Sequence, residues 1–247
     1  MPIPASDIIA SWRRYPQKFV YDNFAQDDPK FKIDWWQADL LERFVSDNPE
    51  YVRMALKACA GPGKSCGEAW CAWLFMSCYG EKGEHPKGAA VAITKENLRD
   101  NLWSEMAKWQ NRSQFLKEAF TWTQSKIFAK GFAETWFLSA RSFPQTADTE
   151  TLGKTLSGIH GKYVLFLIDE SGDIPPQIAK AAEQAVGETL GRNGFVRILQ
   201  AGNPISLAGM LYTSLTNGKW SVIEITADPD DPRRSGRIDK ALSLIHI

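Results

Sequence analysis

Ala58-Cys59-Ala60-Gly61-Pro62-Gly63-Lys64-Ser65 stands between a short apolar stretch, Val52–Leu56, and a long apolar run, Ser65–Tyr79, that stops at Gly80. The first stretch predicts a strand and the second a helix. Small residues at such a junction let backbone N–H groups turn inward around an anion. Gly61 and Gly63, with Pro62 between them, supply the tight turn. Lys64 brings the charge for β- and γ-phosphates, Ser65 a hydroxyl for Mg²⁺, and the helix its positive end. The usual spacing has a glycine where this chain has Ala58, which is a departure. An accidental Gly-Lys-Ser in a glycine-rich turn is the competing reading, and the strand–loop–helix setting weighs against it.

Further along, Val164-Leu165-Phe166-Leu167-Ile168 runs into Asp169-Glu170. An apolar strand ending in two carboxylates suits a division of labour. Asp169 would hold Mg²⁺ from a strand beside the loop strand, and Glu170 would polarise an attacking water. A solvated strand end is the plainer alternative. A third apolar run, Phe195–Leu199, leads into Gln200-Ala201-Gly202-Asn203-Pro204, where Asn203 is placed to sense a γ-phosphate or its water. Alone, Gly-Asn-Pro is only a turn signal. Other strands are expected at 88–94, 135–139 and 220–225, with helices at 6–14, 35–46, 95–109 and 175–186. Continuous apolar strands alternating with helices predict an α/β fold, three-layered, with a mostly parallel central sheet and helices on both faces.

Composition fits this picture. The chain has 247 residues, 44% apolar and 23% charged, which excludes disordered, collagenous and coiled-coil classes. Lys+Arg and Asp+Glu are both 29, so a histone-like, purely electrostatic DNA binder is excluded while a local basic groove is not. No apolar stretch approaches the roughly 20 residues that span a bilayer, and no leader is expected at the N-terminus. The spacing of Cys59, Cys66, Cys71 and Cys78 argues against zinc, and Cys66, Cys71 and Cys78 are expected as packing residues. Upstream, Asp34 is the expected N-cap of a helix opening with Trp35-Trp36-Gln37. Gln37 could read both a donor and an acceptor on the adenine edge, with Trp36 packing nearby. An N-terminal helix anchored by tryptophans is the alternative.

In order along the chain, these motifs resemble the N-terminal P-loop ATPase domain of the large terminase subunit of tailed bacteriophages. The resemblance covers Trp36-Gln37, the glycine–lysine–serine loop, Ser157-Gly158-Ile159-His160-Gly161 ahead of the acidic strand, Gly202-Asn203-Pro204, Gly209–Tyr212, Trp220 and Ile225–Pro229. It implies an additional-strand P-loop NTPase that uses ATP and Mg²⁺ to drive double-stranded viral DNA into a procapsid. It also implies a homo-oligomeric ring docked on a portal protein, a small terminase partner, and work in the cytoplasm of the infected host. A nuclease domain usually follows the motor, and residues 205–247 are too few to hold one. The organisation expected is a helical lead-in over 1–50, the ATPase core over 51–226, a solvated linker over 227–241 containing Asp228, Asp230 and Asp231, and a tail. That tail, Leu242–Ile247, matches the translation of a transposon-derived sequencing adaptor and is set aside. A helicase-like ATPase and a non-hydrolysing nucleotide-binding scaffold are the alternatives. Arg141, Arg192 and Arg197 are candidates for an arginine donated to a neighbouring subunit. Lys95, Arg99 and Lys108 share a helix that reads as a solvated face.

Overall fold

The computed structural model describes residues 5–142, 156 and 158–238. Ser157 of the glycine–histidine motif and the suspected adaptor residues lie outside them. Three helices lead, α1 (Ala5–Arg14), α2 (Pro16–Phe24) and α3 (Trp35–Val45). Strand β1 (Arg53–Ala58) and helix α4 (Lys64–Cys78) flank the glycine loop. Then come β2 (Lys87–Ala92), α5 (Lys95–Leu98), a π-helical turn over Arg99–Trp103, α6 (Ser104–Arg112) and α7 (Gln114–Ala119). The hairpin β3 (Phe120–Trp122) and β4 (Lys126–Ala129) precedes β5 (Phe137–Ser142). The chain continues through β6 (Tyr163–Ile168), α8 (Gln177–Gly191), β7 (Phe195–Gly202), α9 (Met210–Thr216) and β8 (Ser221–Ile225).

The sheet order is β3-β4-β5-β2-β6-β7-β1-β8. From β5 to β8 every pairing is parallel, and only β3–β4 and β4–β5 are antiparallel. This corrects one expectation. The acidic strand β6 does not adjoin the loop strand β1, because β7 is inserted between them. Both still end on the same edge of the sheet, since all three run in parallel.

One apolar cluster packs α1–α4, α6 and α7 on one face of the sheet, and another packs α8 and α9 on the other. Alternation within β6 divides the labour: Leu165 and Leu167 face the first cluster, Val164, Phe166 and Ile168 the second. Every residue of α4 from Cys66 to Cys78 is buried, as befits a helix that is apolar all round. Trp70 at its centre meets Phe24, Phe31 and Trp109 ring to ring. Helices α1–α3 thus pack into the same core as α4 and the sheet.

Arg197 is structural. It is 3% exposed, and its Nε donates to the Phe44 carbonyl at 2.9 Å while Nη2 donates to that of Ser46. It thus closes the C-terminus of α3, whose last carbonyls have no partner inside the helix. Burial lowers its pKa to about 10. A side chain so enclosed cannot reach another subunit, so Arg197 leaves the list of candidate trans-acting arginines. Arg197→Ala would strand both carbonyls, at a cost on the order of 2–4 kcal/mol in the unfolding free energy measured by denaturant titration.

The described part of the segment expected as a solvated linker, up to residue 238, packs back onto the body. Arg234 bridges to Thr226, Trp35 Nε1 donates to the Arg234 carbonyl at 3.2 Å, and Ser235 is fully buried. The acidic cluster lies in a turn. Asp228 accepts from the Asp230 N–H, and Asp231 pairs with Arg233. Among the described residues no helix is long and apolar enough to cross a membrane.

Candidate nucleotide site

Gly63 is the N-cap of α4 in the left-handed region, with φ 93°, and offers no side-chain cap. A non-glycine residue there would be strained. The first N–H groups of α4 are thereby left open to an external acceptor. Cys59 ties the loop to the sheet by donating its N–H to the Ile225 carbonyl at 3.0 Å.

Lys64 turns back over the loop. Its Nζ donates to the Cys59 carbonyl at 3.1 Å and to Asn203 Oδ1. Burial lowers its pKa, opposed chiefly by the charge of Asp169. A desolvated ammonium held by two neutral acceptors is poised to gain from an anion. Asn203 follows β7, so the contact joins the first and third sequence motifs directly.

Asp169, at the end of β6, is 2% exposed. Its Oδ1 accepts from the Glu170 N–H at 2.9 Å, while Oδ2 is buried without a partner. Burial, then the neighbouring Glu170, pushes its pKa up to about 6. Asp169 and Ser65 line one cleft, and an all-oxygen donor pair of this kind fits Mg²⁺. The raised pKa has a measurable consequence for the ligand-free protein. The folded carboxyl titrates above the ordinary 3.8, so the native state holds more protons between about pH 4 and 6, and stability falls as pH rises through that window. Asp169→Asn is expected to remove this slope and to raise the melting temperature at pH 7. Parallel melting profiles for the two proteins from pH 4 to 7 would contradict the assignment.

Glu170 adopts φ 55°, a strained value for a residue with a side chain. Its carboxylate accepts from Asn97 Nδ2 at 2.9 Å and Asn101 Nδ2 at 3.1 Å. Asn97 lies on α5 and Asn101 in the π-helical turn, a distortion often found at functional sites. Lys64, Ser65, Asp169, Glu170, Asn203 and Asn101 line a cleft of about 270 Å³. The loops beneath are packed backbone to backbone: a Cβ at Gly209 would lie 1.6 Å from the Gly172 carbonyl oxygen.

Trp36 and Gln37 are not brought to this cleft. Gln37 is fully buried: its Oε1 accepts from the Asp34 N–H at 3.0 Å in a capping box, and Nε2 lies 3.7 Å from Cys66 Sγ. Neither end of the amide is free for a base. Trp36 is buried against Gly67, where a Cβ would lie 3.0 Å from its ring. Three residues not anticipated from the sequence stand at the site. Asn97 and Asn101 were legible as an i, i+4 pair on one helix face. Glu68, one turn beyond Lys64, is fully buried with both oxygens unpartnered, and burial raises its pKa well above the usual range. A lone acid in an apolar helix was its signal.

No known family profile matches the sequence, and neither does any curated protein. Solved structures do match. The large terminase of bacteriophage HK97 superposes with TM-score 0.55 and 16% identity over 93% of this chain and 45% of its own. The large terminase of a thermophilic bacteriophage, solved in complex with ADP, gives 0.55 and 12% over 78% of this chain and 46% of its own. An ATPase-domain variant of the large terminase from Thermus phage P74-26 gives 0.53 and 12% over 80% and 82%.

The chain has the fold of a phage large-terminase ATPase domain. It spans about half the length of the two longer terminases. The cleft described above opens where the ends of β1, β6 and β7 meet.

Proposed function

We propose that this chain is the ATPase motor of a phage large terminase, coupling ATP hydrolysis to the movement of double-stranded DNA into a procapsid. The observation carrying the reading is the convergence of Lys64, Asp169, Glu170 and Asn203 on one cleft at the carboxyl ends of parallel strands. The loop at 58–65 would hold the phosphates, with Gly61, Pro62 and Gly63 shaping it and Lys64 exchanging Asn203 for phosphate oxygens. Ser65 and Asp169 would hold Mg²⁺, which when bound offsets charge on the β- and γ-phosphate oxygens. Glu170 would accept the proton of the attacking water, giving up at least one asparagine donor to do so. Asn203, released from Lys64, would report the γ-phosphate to the loop before α9. The same reading proposes a homo-oligomeric ring with portal protein and small terminase as partners, in the cytoplasm of the infected host.

A non-hydrolysing nucleotide clamp is the second reading, favoured by the full engagement of the Glu170 carboxylate. Phosphate release from Mg·ATP, with and without double-stranded DNA, separates the two. The motor reading expects release that DNA accelerates. Tight binding without release in either condition would support the clamp.

A further inference from the structure

Arg237 is carried to the phosphate loop by the segment that folds back after β8. Ser235 Oγ donates to Asp34 Oδ2 at 2.5 Å, and the Arg237 N–H donates to Ser235 Oγ at 3.2 Å. With this segment clasped to the start of α3, the guanidinium reaches the loop. Its Nη1 would lie 3.4 Å from a Cβ on Gly63, Nη2 lies 3.4 Å from the Lys32 carbonyl, and its centre is 5.9 Å from the Trp70 ring. Among the described residues no carboxylate pairs with it.

A cleft of about 590 Å³ opens at this point, between residues 28–32, the loop and α6. Its cations are Lys30, Lys32, Lys108, Arg112 and Arg237, against only Asp28 and Glu105. Glu105 is already bonded to Lys108 and to Trp109 Nε1. A cleft of about 520 Å³ on the other side of the loop, beside β8, contrasts with it. Its one lining cation, Lys57, is paired with Glu224. Bringing Arg237 as well as Lys64 to the positive end of α4 is unfavourable unless an anion joins them.

We infer that Arg237 is a nucleotide-binding residue. It pairs with the phosphate chain of a nucleoside di- or triphosphate whose terminal phosphates rest on Lys64, and the body of that nucleotide lies in the basic cleft rather than beside β8. The inference rests on the nucleotide reading proposed above and adds a contact from outside the sequence motifs that led to it. Because Arg237 is held by the Ser235–Asp34 contact, nucleotide binding and closure of residues 233–238 are linked.

The test titrates a fluorescent ADP with Mg²⁺ against wild type, Lys64→Ala, Arg237→Ala and Arg237→Lys, with duplex DNA titrated in parallel. Arg237 is exposed, so its variants should melt with the wild type. The expected result is affinity for ADP weakened at least about tenfold in Arg237→Ala and partly restored in Arg237→Lys, since a charge-assisted contact to phosphate is lost and then regained. DNA affinity should be unchanged. Wild-type nucleotide affinity in Arg237→Ala, while Lys64→Ala fails to bind, would overturn this inference and leave the nucleotide reading standing. So would a loss confined to DNA binding. Absence of nucleotide binding by the wild type would overturn both.

Discussion

Glu170→Gln is expected to bind Mg·ATP as the wild type does and to hydrolyse it at least about 10² more slowly, the lower range for loss of a general base. The substitution preserves shape and keeps one oxygen acceptor for Asn97 or Asn101; the other asparagine keeps its contact by turning its own amide oxygen to the new NH2, so the strained backbone at Glu170 keeps its supports. What it removes is a proton acceptor. Asp169 is not expected to take over, because its unpartnered oxygen is buried. The comparison belongs in single-turnover rates at saturating ATP with DNA present. Equal rates in an active wild type and the variant would show that Glu170 is not the base.

Lys64→Ala should weaken Mg·ATP binding by at least about 10² while leaving the fold intact. The ammonium is desolvated in the free protein and bonded only to neutral groups, the Cys59 carbonyl and Asn203 Oδ1. Its burial therefore costs free energy that the charge of Asp169 offsets in part and a bound anion would offset further. Removing it opens no apolar cavity, because the side chain lines a cleft. Unchanged ATP affinity in a calorimetric titration would remove the loop assignment. A lowered melting temperature would show instead that Lys64 supports the fold.

The parts of this molecule written in contiguous residues were legible in the sequence. The strand–loop–helix at 53–78 and the acid pair after β6 depend on local spacing, and each lies where that spacing put it. The pairing of strands does not depend on local spacing. Nothing in Phe195–Gly202 says that β7 enters between β6 and β1, since a crossover connection specifies handedness but not neighbours. The β3–β4 hairpin was hidden by strands of three and four residues, too short for alternation to show. Gln37 was misread for a different reason. Gln at the third helical position after an Asp N-cap is itself a capping-box signature, and that local role is the one the structure gives it. Asp228–Arg234 carries the prolines and charges of a linker, so the return of Ser235 and Arg237 to the body rested on long-range contacts with Asp34 and Lys32.

The most direct measurement of the central claim is a structure of this chain with Mg·ADP bound. The account predicts phosphates against the backbone of residues 58–65, Lys64 turned from Asn203 to a phosphate oxygen, and the metal on Ser65 and Asp169. A nucleotide bound elsewhere, with Lys64 still on Asn203 and Asp169 Oδ2 still unpartnered, would contradict it.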